Sequence, residues 1–234
     1  QPHPRNLTNS PVMAQMTKSR LRSVIREGLP GTSMPAWKSV LAEDDIQAVV
    51  GDFARPLTLP SFDGKRGRKI VYFPGSTIGN LTPEEALAFL RMTRGLVGAD
   101  GAMLVGVDLK KDANVLHAAY NDSQGVTAAF NLNLLKRINR ELGGDFDLSK
   151  FSHYAFYDPQ AGRIEMHLVS LERQTVRVGR HRFSFDAGES IHTENSCKYS
   201  VEEFRALAGE AGFAARELWF DSKRRFSLHG LQAG

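Results

Sequence analysis

One cysteine, Cys197, stands in 234 residues, which excludes an internal disulfide and any multi-cysteine zinc site. No apolar run approaches the roughly 20 residues that a helix needs to cross a bilayer, and Gln1 opens no recognisable secretion segment. The expectation is therefore no membrane partner and a cytoplasmic location. Basic runs flanked by regularly spaced aromatics are also missing. Lysine and arginine are interleaved with acids and the formal charge is only +4, so no nucleic-acid partner is expected. His117, His153, His167, His181, His192 and His229 are scattered without HxH, HxxxH or His-plus-Cys spacing, and no metal is expected from them.

What is present reads as an α/β chain long enough for one large domain or two small ones. Residues 69–73 form an apolar run expected as a buried strand. It ends in Tyr72-Phe73-Pro74-Gly75-Ser76-Thr77-Ile78-Gly79-Asn80, a small-residue turn that presents one amide where open α/β sheets place their ligands. Thr82-Pro83-Glu84-Glu85 then has the cap, proline and acids of a helix start. Read alone, the turn is equally a tight corner in which Gly75 and Gly79 supply freedom and Asn80 satisfies its own backbone. A helix over 84–97 and a strand over 101–107 complete a strand-helix-strand unit, whose natural home is a parallel sheet covered by helices.

Asp108 to Asp112 is a polar transition, either a ligand-positioning pair of acids or a solvated loop. Helices follow over 113–120 and 126–142. Tyr120 has a ring and a hydroxyl suited to holding a carboxylate or amine near Asn80, and is otherwise a core or interface tyrosine. Four segments, 151–157, 163–170, 175–178 and 182–185, alternate as antiparallel strands do. In the stretch 188–199, an extended chain puts Glu194 and Ser196 on one face. A carboxylate beside a hydroxyl can orient a small heteroaromatic ring and select one tautomer; the other reading is a solvated edge strand. Cys197 adjoins the pair, with no His/Asp constellation to make it a nucleophile. Ser200-Val201-Glu202-Glu203 opens a last helix, followed by strands over 215–220 and 226–229 that complete the main sheet. Phe204, Phe213, Trp219 and Phe226 are expected in the core.

Together the GSTIGN turn and the AAYND, GVTAAFN and TENSCKY segments resemble the histidine-specific, S-adenosylmethionine-dependent methyltransferases that make trimethylhistidine for ergothioneine biosynthesis. The resemblance runs from about Gly51 to Leu231 and covers the C-terminal two thirds of that family's members. It implies Nα-methylation of L-histidine with S-adenosylmethionine as donor, and a partial Rossmann-like methyltransferase sheet with an inserted α+β substrate-binding domain. It also implies residue roles. Asp52 and Phe53 match the segment that holds adenine, and Gly75 matches a residue near the amino acid. Asn80 and Tyr120 match the residues that position the amine and carboxylate, and Glu194 and Ser196 the pair that binds imidazole.

The family's glycine-rich cofactor turn and ribose-binding acid have no match ahead of Asp52. Gly28-Leu29-Pro30-Gly31-Thr32-Ser33-Met34-Pro35 has prolines where a nucleotide turn needs a helix start. Residues 9–50 instead resemble the C-terminal part of a c-type cytochrome. Met34 matches an axial ligand there, but the Cys-x-x-Cys-His attachment motif is absent, so no haem is expected. The expected organisation is a cytochrome-like fragment (1–50), a partial methyltransferase core (51–112), a substrate-recognition domain (113–200) and the completion of the core (201–234). Activity of the isolated chain is expected to need completion of the cofactor site, by a homo-oligomer or a complementary half-domain. The alternative is a noncatalytic amino-acid-binding or structural remnant.

Overall fold

The computed structural model describes residues 17, 19, 23, 26, 27, 51–53, 55 and 67–234. The chain divides into two units, Gln1–Gly64 and Lys65–Gly234. Most of the cytochrome-like segment, including Met34 and the Gly28–Pro35 stretch, lies outside the described residues. In the first unit, Asp52 pairs with Arg55, three residues on, at 3.3 Å.

The second unit is a mixed α/β structure. Its order is β1 (Ile70–Phe73), a 3-10 turn (Thr77–Asn80), α1 (Pro83–Val97), β2 (Ala102–Asp108), α2 (Ala113–Tyr120), α3 (Val126–Leu142), β3 (Phe151–Asp158), β4 (Arg163–Ser170), β5 (Gln174–Val178), β6 (His181–Phe185), β7 (Ser190–Cys197), α4 (Val201–Glu210), β8 (Phe213–Phe220) and β9 (Phe226–Ala233). The main sheet has the order β1-β2-β9-β8. β1 and β2 run parallel across the α1 crossover, and β9 and β8 are antiparallel. Both α1 and α4 begin with reciprocal capping boxes, Thr82 with Glu85 and Ser200 with Glu203, each satisfying two amide donors that the first turn leaves orphaned.

Alternation along the strands sends Met103, Val105 and Val107 of β2, with Leu231 and Ala233 of β9, to one face. There they meet Ala86, Phe89 and Leu90 of α1 and Phe204 and Ala208 of α4. The opposite face carries Ile70, Tyr72 and Trp219, which are 63%, 55% and 49% exposed. Two expectations are thereby corrected. The segment 69–73 is covered on one face only, and Trp219 is not a core residue, because Trp219 pairs with Leu228 in the register that faces away from α1 and α4.

Between β2 and α4 the chain builds a three-stranded antiparallel sheet, β3-β4-β7, and a two-stranded one, β5-β6. The inner face of the three-stranded sheet is packed on two helices: Leu116 of α2 meets Ala155, Ile164 and Met166, and Leu135 of α3 meets Phe151, Leu168 and Val176. Its helices and strands lie where the 3.6 and 2.0 periods place them. Among the described residues, no helix is long and apolar enough to cross a membrane.

Candidate active site

The carboxyl ends of β1 and β2 meet the start of β9 at one end of the main sheet. A cleft of about 360 Å³ opens there, lined by Gly75, Ser76, Thr77, Asn80, Asp108, Tyr120, Glu194, Ser196, Lys198 and Phe226. The five residues expected to contact an amino acid, Gly75, Asn80, Tyr120, Glu194 and Ser196, thus surround a single cavity although 121 positions separate the first from the last. Phe226, expected in the core, lines the same cleft.

Each wall has a local cause. After β1 the chain reverses through Gly75 (φ 78°) and Ser76 (φ 58°). A serine in the left-handed region is uncommon, and here its hydroxyl accepts the Asp108 amide at 2.8 Å, tying the β1 turn to the end of β2. The turn then seats against β7. A Cβ on Gly79 would stand 2.7 Å from the Cys197 carbonyl oxygen, so only glycine permits that approach. Asn80, one residue on, is exposed.

Tyr120, at the end of α2, is held by its neighbours in sequence. The Asn121 side chain donates to the Ala155 carbonyl at 2.9 Å and accepts the Ala155 amide at 3.2 Å, imitating a strand partner. His153 Nε2 donates to the Tyr120 carbonyl at 2.8 Å, and Asn131 donates to His153 Nδ1 at 3.0 Å, which fixes the ring tautomer. Asp122 accepts the amides of Val126 and Thr127 and starts α3. Those backbone bonds, led by Thr127, hold its carboxyl at about 2. Asp112 likewise caps α2. The two acids of the 108–112 transition therefore divide: Asp112 is structural, and Asp108 faces the cleft.

β7 pairs Glu194 with Met166 and Ser196 with Ile164, so both side chains share the inward face. Beyond them the chain runs beside β2, with Lys110 donating its amide to the Tyr199 carbonyl. This brings in Lys198, the residue that sequence reasoning passed over. Its side chain is 1% exposed and pairs with Asp108 Oδ2 at 2.9 Å. It also donates to the Tyr120 hydroxyl at 2.9 Å and to Ser196 Oγ at 2.7 Å. Burial opposes the ammonium charge, but Tyr120 and Asp108 outweigh it and hold its pKa above the ordinary value. The only signal in sequence was period two: 194, 196 and 198 fall on one face.

The network determines what the cleft can offer. All three Lys198 protons are spent. The Tyr120 hydroxyl accepts one and donates its own proton to Ser196 Oγ at 2.8 Å. With both lone pairs of Ser196 occupied, its hydroxyl hydrogen is left to donate into the cleft. Glu194, whose pKa is raised by burial and pulled back by Lys198, supplies an acceptor. One donor beside one acceptor matches a neutral imidazole, which has one N–H and one lone pair, and mismatches an imidazolium, which has two N–H groups. Cys197 faces away from this chemistry: its thiol donates to the Leu81 carbonyl at 3.4 Å, and burial raises its pKa.

Asp52 and Phe53 belong to the first unit, where Phe53 is 43% exposed.

Residues 35–233 match a family described as histidine-specific methyltransferase, SAM-dependent. The match begins upstream of Gly51. The chain is 44% identical over 187 residues to the histidine N-alpha-methyltransferase of Mycobacterium tuberculosis, covering 79% of this chain and 57% of that protein. It is 33% identical over 156 residues to the ergothioneine biosynthesis protein 1 of Neurospora crassa, covering 65% of this chain and 17% of that one. The chain thus spans just over half the length of the bacterial relative. Among solved structures, the CcbJ methyltransferase of Streptomyces caelestis aligns over 93% of this chain and 70% of its own at 15% identity, with a TM-score of 0.44.

Proposed function

The chain belongs to the histidine-specific, S-adenosylmethionine-dependent methyltransferase family, and on that premise we propose that the cleft binds L-histidine for methylation of its α-amine, up to the trimethylated product. The observation that carries this reading is the donor–acceptor pair of Ser196 and Glu194 in the same cleft as the Gly75–Asn80 turn. The pair holds the imidazole, which leaves the amino acid end for Asn80 and Tyr120. Asn80 offers a carbonyl acceptor to the amine, and the Tyr120 ring packs beside the amino acid while its hydroxyl, engaged by Lys198 and Ser196, orients the Ser196 donor.

S-Adenosylmethionine, when bound, would supply a methyl group on a positive sulfur; the neutral amine forms the N–C bond as the C–S bond breaks, releasing the thioether and, in the first two transfers, a proton. Asp52 and Phe53 would hold its adenine. The chain's own residues contribute orientation, since a displacement between two bound reactants gains most from alignment. No side chain is required as a nucleophile.

The test is calorimetric titration of the purified chain with histidine and with S-adenosylmethionine, separately and together. Histidine binding that falls at least tenfold in Asn80→Ala and in Glu194→Gln supports the assignment, and unchanged affinity in both variants refutes it. Histidine binding without S-adenosylmethionine binding selects the noncatalytic alternative.

A further inference from the structure

β7 carries a second constellation on its other face. In regular pairing, Glu194 opposite Met166 would place Thr193 opposite His167, but a bulge shifts the register so that His192 faces His167. The extra residue reverses the alternation. Glu194 and Ser196 point inward, and His192 points outward. Glu165, two residues before His167 on β4, shares that outer face. Donor atoms of Glu165, His167 and His192 all lie within 4.8 Å of one another. The two imidazoles stack at 4.8 Å with 13° between their planes.

Each of the three has an outer partner that orients it. His192 Nε2 donates to the Glu194 carbonyl at 3.1 Å, leaving Nδ1 with its lone pair. His167 Nδ1 meets Ser190 Oγ at 3.1 Å, and its Nε2 faces Glu165 Oε2 at 3.2 Å. Arg163 holds the other Glu165 oxygen through two bonds of 2.8 and 2.6 Å. Backbone carbonyls and hydroxyls behind imidazole ligands, and hydrogen bonds behind a carboxylate, are the supports that metal ligands require.

We propose that Glu165, His167 and His192 form a binding site for a divalent transition-metal ion of the zinc class, tying edge strand β7 to β4 across the bulge. Two imidazoles and a carboxylate are a ligand set that suits zinc, with one position left for water. Bonds of about 2.1 Å to a tetrahedral ion separate the donors by about 3.4 Å. Glu165 and His167 already stand 3.2 Å apart, so the gap of up to about 1.4 Å lies on the side of the exposed His192, whose ring must turn when the ion binds. Magnesium, which prefers oxygen ligands in an octahedron, does not fit. Spacing in the sequence does not reveal the site, because His192 joins Glu165 and His167 only across strands.

The experiment is calorimetric titration of chelator-stripped full chain with Zn²⁺, with Mg²⁺ as control and Co²⁺ absorption as a report on geometry. The expected result is one Zn²⁺ per chain, no response to Mg²⁺, and at least tenfold weaker binding in both His192→Ala and Glu165→Gln, each checked for folding by circular dichroism. Absence of saturable Zn²⁺ binding, or affinity unchanged in both variants, overturns the proposal.

Discussion

Replacing Lys198 with methionine removes the group on which the cleft is organised, and its cost can be worked from the contacts. The side chain is 1% exposed and that of Asp108 is 21% exposed, with 2.9 Å between them. Breaking a buried ion pair from one side costs about 3–5 kcal/mol, because the remaining charge is left without compensation. Asp108 keeps Lys111 as a partner and retains some water, which places the expected loss near the low end, about 3 kcal/mol. For a unit of this size, that lowers the melting temperature by roughly 6–12 °C. The assay is denaturant unfolding of wild type, Lys198→Met, Asp108→Asn and the double variant. A coupling energy of about 2 kcal/mol is expected between the two positions. Histidine affinity should fall as well, since Ser196 then has a free lone pair and its hydroxyl is no longer confined to donating. A loss of stability under about 1 kcal/mol with no coupling would refute the reasoning that Lys198 holds the site together.

Histidine binding should strengthen as pH rises through about 6.5, the ordinary imidazole value, because the Ser196 donor rejects the second N–H of an imidazolium; an affinity flat from pH 5.5 to 7.5 in calorimetry would contradict the donor assignment. Gly79→Ala puts a methyl against the Cys197 carbonyl oxygen, so a loss of about 1–3 kcal/mol in urea unfolding is expected, together with weaker histidine binding as the turn leaves β7. His229 is fully buried, and burial lowers its pKa from 6.5 to about 4. The unfolded chain binds the proton more readily, so stability is complete above pH 6.5 and is lost as pH falls to 4, by up to roughly 3 kcal/mol; an NMR titration of the ring with a midpoint near 6.5 would remove that contribution. The Asp122 carboxyl should titrate near 2 by carbon NMR, and a midpoint near 4 would mean that it does not cap α3.

Period and punctuation made most of the elements legible. Helix Val126–Leu142 and strand Arg163–Ser170 carry their own apolar stripes and end at turn residues, so local sequence determines them. The exposed face of β1 was not legible, because an apolar run of four residues looks the same whether one face or both are covered. Site residues divided in the same way. Asn80 follows from a strand, a glycine turn and a helix cap read in order, and the 194/196 pair from strand period. Lys198 in a single sequence is only a lysine after a cysteine, since its meaning lies in Asp108 and Tyr120, which are brought to it by the β2 end and the α2 end.

The β7 bulge is where local sequence and tertiary pairing part most clearly. An uninterrupted strand would place His192, Glu194 and Ser196 on one face, with the imidazole of His192 in line with the proposed substrate-binding pair. The extra residue sends His192 to the opposite face, beside His167, and leaves Glu194 and Ser196 with the cleft. Removing the bulge by deleting Thr193 would therefore not merely shorten the strand. With Ser196 and Glu194 kept in register by Met166 and Ile164, the deletion would place His192 next to Glu194 and restore regular pairing to the strand's start, keeping the His167–His192 pair. The pairs of the strand's start lead to the same register, since the residue after His192 then falls opposite Met166, so Glu194 and Ser196 keep the face that looks toward Tyr120. The bond between Tyr120 and Ser196 should therefore survive the deletion, and with it the orientation of the Ser196 hydroxyl on which recognition of a neutral ring depends; histidine affinity that falls tenfold or more in the deletion variant, with folding intact, would contradict this.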